Sequence, residues 1–115
     1  MAQLEIQERQ AGDVTILDMD GRIAIGEGST ALRTAIRRLA EEGKKKILLN
    51  LEKVGTMDST GLGELIASYT TIQRDGGQLK LLRLTGKLQD LLVITKLLTV
   101  FDVYDNESDA LGSFK

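Results

Sequence analysis

The chain has 115 residues, 42% hydrophobic and 28% charged, with a net charge of −2, the profile of one globular domain large enough to bury a real core. It contains no Cys and no His, which excludes disulfides, thiolate metal sites, Cys nucleophiles and Ser-His-Asp chemistry. Weak acidity and few aromatics, two Tyr, two Phe and no Trp, argue against nucleic acid and anionic membrane surfaces as partners.

Leu4 and Ile6, then Val14, Ile16, Leu17 and Met19, predict two strands joined by a hairpin turn at Gly12-Asp13. Ser29 or Thr30 is expected to cap a helix that turns Leu32, Ala35, Ile36 and Leu39 inward and closes at Gly43. Ile47-Leu48-Leu49-Asn50-Leu51 is a near-continuous apolar run, the pattern of a strand buried on both faces. Thr56-Met57-Asp58-Ser59-Thr60 leads into a second helix, with Leu62, Leu65, Ile66, Tyr69 and Ile72 inward and Gly76-Gly77 at its end. Leu79, Leu81 and Leu82 predict a strand, and Thr85 a cap for a third helix with Leu88, Leu91 and Leu92 inward. Val100, Phe101 and Val103 predict a last short strand, and Asn106 with Asp109 opens a final helix.

The order β-β-α-β-α-β-α-β-α places the chain in the α/β class. It predicts a mixed sheet of four or five strands, a hairpin followed by right-handed parallel crossovers, with about four helices mainly on one face. Residues 1–115 read as a single domain. The amino terminus lacks the pattern of a signal peptide, and no apolar run approaches the ~20 residues of a membrane span. A cytoplasmic protein without a membrane span is therefore expected.

The densest chemical feature is Asp58-Ser59-Thr60-Gly61-Leu62-Gly63. Its ordinary reading is a helix cap, because Asp, Ser and Thr oxygens accept the orphan N–H bonds of a first turn. Three such residues in succession exceed what one cap needs. Gly61 and Gly63 each cost a helix about 1 kcal/mol relative to Ala, which implies that something approaches this backbone closely. A helix N-terminus also suits a phosphate. Gly61-Leu62-Gly63 and Gly26-Glu27-Gly28 both lack the third Gly of a dinucleotide fingerprint, and neither has the Gly-Lys-Ser/Thr ending of a phosphate loop. No cofactor is expected. Asp18 and Asp20 share a strand face without a third ligand nearby, and Gly21 marks a turn, so no metal site is expected. Lys44-Lys45-Lys46 reads as a solvated edge, and Arg33, Arg37 and Arg38 either pair with Glu41 and Glu42 or face an acidic partner. With no catalytic constellation, these residues favour a binding or regulatory module over an enzyme.

The string Ile47-Leu48-Leu49-Asn50-Leu51, then Val54, then Met57-Asp58-Ser59-Thr60-Gly61-Leu62-Gly63 resembles the anti-sigma factor antagonists, which are single STAS domains. Val14-Thr15-Ile16-Leu17 with Gly21-Arg22-Ile23, and Gly76-Gly77-Gln78-Leu79, resemble further segments of that family. Leu97-Leu98-Thr99-Val100-Phe101 resembles the family's Gly-Leu-x-x-x-Phe only in part, with Leu97 replacing the Gly. The resemblance implies partner switching. The unphosphorylated antagonist binds an anti-sigma factor that is also a Ser/Thr protein kinase, and the sigma factor is released. Phosphorylation ends the binding, and a protein phosphatase restores it. Carried onto this chain, the phosphoacceptor is Ser59, and the partner-binding residues are Asp58, Thr60, Gly61, Leu62, Gly63, Arg22 and Ala24. Ala24 stands where many members have Asp. The alternative within the same family is a subunit of a transporter or stressosome-type assembly without a phosphate switch.

Overall fold

The structure is a computed structural model that describes residues 3–114. Met1 and Ala2, part of the segment read for a signal peptide, lie outside the described residues, as does Lys115. Strands β1 (Leu4–Ala11) and β2 (Val14–Ile23) form the expected antiparallel hairpin. Its turn uses Gly12 at φ 63°, in the left-handed region where glycine carries no Cβ penalty. Helix α1 (Glu27–Glu41), strand β3 (Lys46–Met57), helix α2 (Ser59–Arg74), strand β4 (Gln78–Leu82), helix α3 (Gly86–Ile94), strand β5 (Val103–Tyr104) and helix α4 (Glu107–Ser113) follow. The sheet is five-stranded in the order β1-β2-β3-β4-β5, and every pairing after the hairpin is parallel.

Strand β3 is the centre of this sheet, and Ile47, Leu48, Leu49 and Leu51 are fully buried, as the near-continuous apolar run predicts. Alternation then divides the core. Leu17, Met19, Ile47, Leu49, Leu51, Leu79 and Leu81 pack with α1, α2 and α3 in the main cluster. Val14, Ile16, Leu48 and Leu82 face the other way, onto Ala110 and Phe114 of α4 and its end. Helix α4 thus covers one end of the opposite face. Lys80, also buried on that side, donates to the Ser113 carbonyl at 3.1 Å and its hydroxyl at 2.9 Å. Its ammonium sits 4.9 Å from the Phe114 ring centroid, a cation–π contact. The rest of that face is polar: Arg9 on β1 bonds Asp18 at 2.6 Å and Glu107 at 2.5 Å, and Asn50 donates to Asp18 at 2.8 Å.

Two helix ends match expectation in detail. Lys44 N–H donates to the Leu39 carbonyl and Gly43 N–H to that of Ala40; Gly77 and Gly76 do the same toward Ile72 and Gln73. These are Schellman pairs, with Gly43 at φ 77° and Gly76 at φ 83°. Four expectations need correction. Gly21, read as a turn, lies within β2 opposite Leu4 and Val54, at φ 130°. Helix α1 starts at Glu27, before Ser29 and Thr30, and its N-cap is Gly26 without a side-chain cap; the first-turn donors find partners elsewhere, as described below. The last strand is only Val103–Tyr104, because Phe101 turns into the core against Tyr69, ring centroids 5.2 Å apart and edge-on. Finally, α3 ends in a third Schellman pair, Lys96 N–H to Val93 and Leu97 N–H to Leu92, with Lys96 at φ 62°. Counting back from Phe101 through Gly-Leu-x-x-x-Phe also reaches residue 96. The departure from the family's Gly is therefore Lys96, not Leu97.

Candidate functional site

Strands β2 and β3 run parallel, with Arg22 opposite Thr56 and Ile23 opposite Met57. The connections that follow them, 24–26 and 58, therefore emerge side by side at one end of the sheet. Asp58 joins them. As N-cap of α2 it has extended backbone, and its Oδ1 accepts from Gly61 N–H at 2.8 Å. Its Oδ2 accepts from Ile25 N–H at 2.9 Å. The N–H groups of Ile25 and then Gly61, pointing at the carboxylate, hold it below its ordinary pKa. One carboxylate thus fixes both the start of α2 and the loop between β2 and α1.

That loop is pinned from its other side as well. Gln3 Oε1 accepts from Gly28 N–H at 2.5 Å, and the Gln3 N–H donates to Glu27 at 2.6 Å. Ser29 N–H donates to the Ala24 carbonyl and Thr30 N–H to that of Gly26. These bonds supply the partners that α1 lacks in a side-chain cap.

Gly61 answers the question of what approaches the backbone: it is the protein's own chain. A Cβ at Gly61 would lie 1.7 Å from the Ile23 carbonyl oxygen, so α2 rests directly on the end of β2. Gly28 is the counterpart on α1, where a Cβ would lie 2.2 Å from the Arg22 carbonyl oxygen. Gly63 faces open space and is exposed.

Ser59 and Thr60 occupy the first two positions of α2, and both are exposed. Among the described residues neither hydroxyl has a hydrogen-bond partner. Leu62 is 8% exposed and belongs to the core, and Gly61 is buried. Of the residues assigned to partner binding by resemblance, Thr60, Gly63 and Arg22 are exposed, Asp58 and Ala24 are half-buried, and Gly61 and Leu62 face inward. The outward surface at this end of the sheet is therefore narrower than the motif. It also includes a residue the sequence did not single out: Ile25, 70% exposed and next to Ala24. The available signal was an isoleucine immediately before Gly26-Glu27-Gly28, where an inward position has no helix or strand to belong to.

Several other charged groups are engaged elsewhere. Arg33 pairs with Glu64 of α2 at 3.2 Å, not with its own helix, while Arg38 pairs with Glu42 at 3.0 Å and with Glu8 of β1. Lys46 pairs with Asp13 at 2.7 Å. Asp18 is held by Arg9 and Asn50, which keeps its carboxyl below the usual range. Among the described residues no helix is long and apolar enough to cross a membrane.

The parallel sheet behind a hairpin, with an Asp-capped helix start presented at its end, defines a regulatory domain of the STAS class. The chain belongs to the STAS domain family, whose model matches residues 5–110, and within it to the anti-sigma factor antagonists. It is 31% identical over 99 residues to the anti-sigma-B factor antagonist of Bacillus subtilis (strain 168), covering 86% of this chain and 81% of that one. An anti-sigma factor antagonist from Mycobacterium paratuberculosis superposes with a TM-score of 0.82 at 20% identity, over 96% of this chain and 93% of that one. The Bacillus cell fate determinant SpoIIAA, solved in its phosphorylated form, superposes with a TM-score of 0.74 at 17% identity, over 94% of this chain and 97% of that one. At these two identities the likeness is one of fold. The family membership makes the chain a regulatory protein and not an enzyme.

Proposed function

We propose that this chain binds an anti-sigma factor in its unphosphorylated state, releases a sigma factor by doing so, and is switched off by phosphorylation of Ser59. The observation that carries the reading is the Ser59 hydroxyl, exposed and unpartnered on the first turn of a helix whose cap is already supplied by Asp58. The partner is an anti-sigma factor that is itself a Ser/Thr kinase, in the cytoplasm. Its active site moves the γ-phosphoryl group of ATP to Ser59. The Oγ–phosphorus bond forms, the bond from that phosphorus to the bridging oxygen of ADP breaks, and the hydroxyl proton leaves to a base on the kinase. A protein phosphatase reverses the state by hydrolysis, returning the hydroxyl and releasing phosphate.

The electrostatics support a switch at the interface. A phosphate adds about −1.5 to −2 charge. The positive end of α2 tolerates that charge, so the domain stays folded. Asp58 is ionised and immediately adjacent, so the two charges reinforce one another toward any approaching surface. A partner fitted to a small neutral hydroxyl loses its contact. The fold neighbour in a phosphorylated form supports the compatibility of this architecture with a phosphate.

The test is a pull-down of the anti-sigma factor by wild type, Ser59→Ala and Ser59→Asp, with and without ATP, followed by mass spectrometry of the antagonist. Ser59→Ala should bind in both conditions and accept no phosphate. Ser59→Asp should fold but bind weakly. Equal ATP-dependent release of wild type and Ser59→Ala would remove Ser59 as the switch, in favour of Thr60 or of a STAS subunit that does not switch.

A further inference from the structure

We infer that Ile25 is the apolar anchor by which this chain docks onto the anti-sigma factor, and that Asp58 is the positioning residue that holds it out. The inference rests on the reading of Ser59 above and extends it to the neighbouring loop.

An isoleucine that is 70% exposed forfeits the gain of burial, and the flanking loop gives it no way to recover. Its own N–H is held by Asp58 at 2.9 Å. The residues on either side, Ala24 and Gly26, have their carbonyls bonded to Ser29 and Thr30 N–H. Gly26 itself takes φ 96°, a left-handed value that reverses the chain there and that an L side chain rarely adopts. The backbone that displays Ile25 is thus fixed on both sides. Association costs free energy for every group it immobilises, and an apolar side chain on a backbone already fixed avoids most of that cost.

The surroundings match the anatomy of a docking centre. Anchors sit amid small or neutral contacts that exclude water, with charges at the rim. Here the chain neighbours of Ile25 are Ala24 and Gly26, and the half-buried Asp58 carboxylate beneath them is satisfied by the Ile25 and Gly61 N–H groups and directly precedes Ser59. Arg22 and Glu27, of opposite sign, stand at the edge and are both exposed. Because Asp58 bonds Ile25 and caps the helix on which Ser59 is the first residue, anchor and phosphoacceptor are held in one rigid unit. A partner that seats Ile25 in an apolar pocket has the Ser59 hydroxyl within its footprint, and a phosphate there meets the partner's wall. The other exposed aliphatics, Val93, Ile94 and Val100, belong to α3 and the segment after it. Ile94, 78% exposed at the last position of α3, supplies a control of the same chemistry on a different element.

The experiment measures Kd of the purified anti-sigma factor kinase of the same organism for full-length wild type, Ile25→Ser, Ile94→Ser and Ser59→Asp, with melting temperatures and sizing of each chain alone. The expected result is a Kd at least ~10-fold weaker for Ile25→Ser, unchanged for Ile94→Ser, with wild-type melting for both. Asp58→Asn keeps one side-chain oxygen and replaces the other with an NH2 donor, so it should speed hydrogen exchange at the Ile25 amide and weaken binding while Ser59 stays exposed. Binding by Ile25→Ser within twofold of wild type, with Ser59→Asp weakened, overturns the anchor and leaves the Ser59 reading standing. Weakening by Ile25→Ser with Ser59→Asp unchanged keeps the anchor and removes the switch. Equal weakening by Ile94→Ser, or a wild-type dimer that Ile25→Ser converts to monomer, overturns the proposal in favour of an α3 surface or of a second copy of this chain. No binding by wild type overturns both readings.

Discussion

Helices α1 and α2 begin at the same end of the sheet, after neighbouring parallel strands, and their first turns are satisfied in opposite ways. Helix α1 has no side-chain cap of its own. Its donors are taken by Gln3, which reaches in from 25 residues away to Gly28, and by the carbonyls of Ala24 and Gly26. Its own first-turn hydroxyl, Ser29, is buried and donates to the Gly26 carbonyl at 3.2 Å. Helix α2 is capped by the single carboxylate of Asp58, and that sufficiency leaves the next two hydroxyls unpartnered and exposed. The same secondary-structure event is closed inward in one case and left open to solvent in the other. A surface available for regulation arises where the capping is economical and the following side chains are polar and small.

The largest way to break this arrangement is through the glycines that let both helices rest on β2. Gly61→Ala drives a Cβ to 1.7 Å from the Ile23 carbonyl oxygen, a backbone atom that no rotamer change can move. We expect a loss of about 3 kcal/mol, at the upper end for overpacking, seen as a lower denaturation midpoint. Gly28→Ala meets the Arg22 carbonyl oxygen at 2.2 Å and should cost about 2 kcal/mol, part of its strain being relieved by the flexible Gln3 side chain at 2.6 Å. Stability equal to wild type in either variant would show that the helix starts are not seated on the strand end.

Asp58 separates the two starts more selectively, since it serves both. Asp58→Ala removes the cap of α2 and releases Ile25, so the chain should be less stable and the Ile25 amide should exchange faster. The pH dependence follows from the depressed carboxyl. Its folded pKa lies below the ordinary value, so its stabilisation is complete above the unfolded carboxylate pKa of about 3.9. That stabilisation is lost as pH falls through the folded value. The stability difference between wild type and Asp58→Asn should therefore shrink on acidification. A difference that grows instead would mean that the carboxylate is not what the N–H groups favour. Asp18 and Glu107, held low by Arg9, add losses in the same direction.

How much of this could be read from residues alone depends on sequence distance. The elements, their order and the strand buried on both faces follow from local periodicity, and a cap within Asp58-Ser59-Thr60 from its immediate neighbours. The bond from Asp58 to Ile25 spans 33 residues and that from Gln3 to Gly28 spans 25. Neither can be inferred before β2 and β3 are known to be parallel and in register. Local pattern alone therefore points to Ser29 or Thr30 as the α1 cap and to an outside molecule over Gly61, where the Ile23 carbonyl in fact lies. The placement of α4 on the far face was hidden for another reason. A seven-residue helix has too short an apolar stripe to choose a face, and the choice rests on Val14, Ile16, Leu48 and Leu82 left uncovered by the other helices.

Gln3→Ala tests the closed start without touching the open one. It removes the acceptor of the Gly28 N–H and should cost about 1 kcal/mol, the usual net value of one such hydrogen bond. The Ser59 region, tied down by Asp58, should keep its phosphorylation rate. A strongly altered rate would mean that the contact at Gly28 is transmitted through the Asp58–Ile25 bond to the start of α2.

Gly63→Ala carries the smallest effect and sharpens the contrast within α2 itself. Gly63 lies on the same first turns as Gly61, yet it has open space around it and an ordinary helical backbone. Nothing in the fold requires glycine there, and glycine inside a helix costs about 0.5–1 kcal/mol relative to alanine. The substitution should therefore raise stability by that amount, measured by denaturant unfolding, while Gly61→Ala lowers it. If the surface beside Ser59 and Ile25 is where the anti-sigma factor sits, the added methyl group should at the same time weaken binding. A gain in stability with unchanged binding would move Gly63 outside the footprint and confine the interface to the side of the helix start that Ile25 shares.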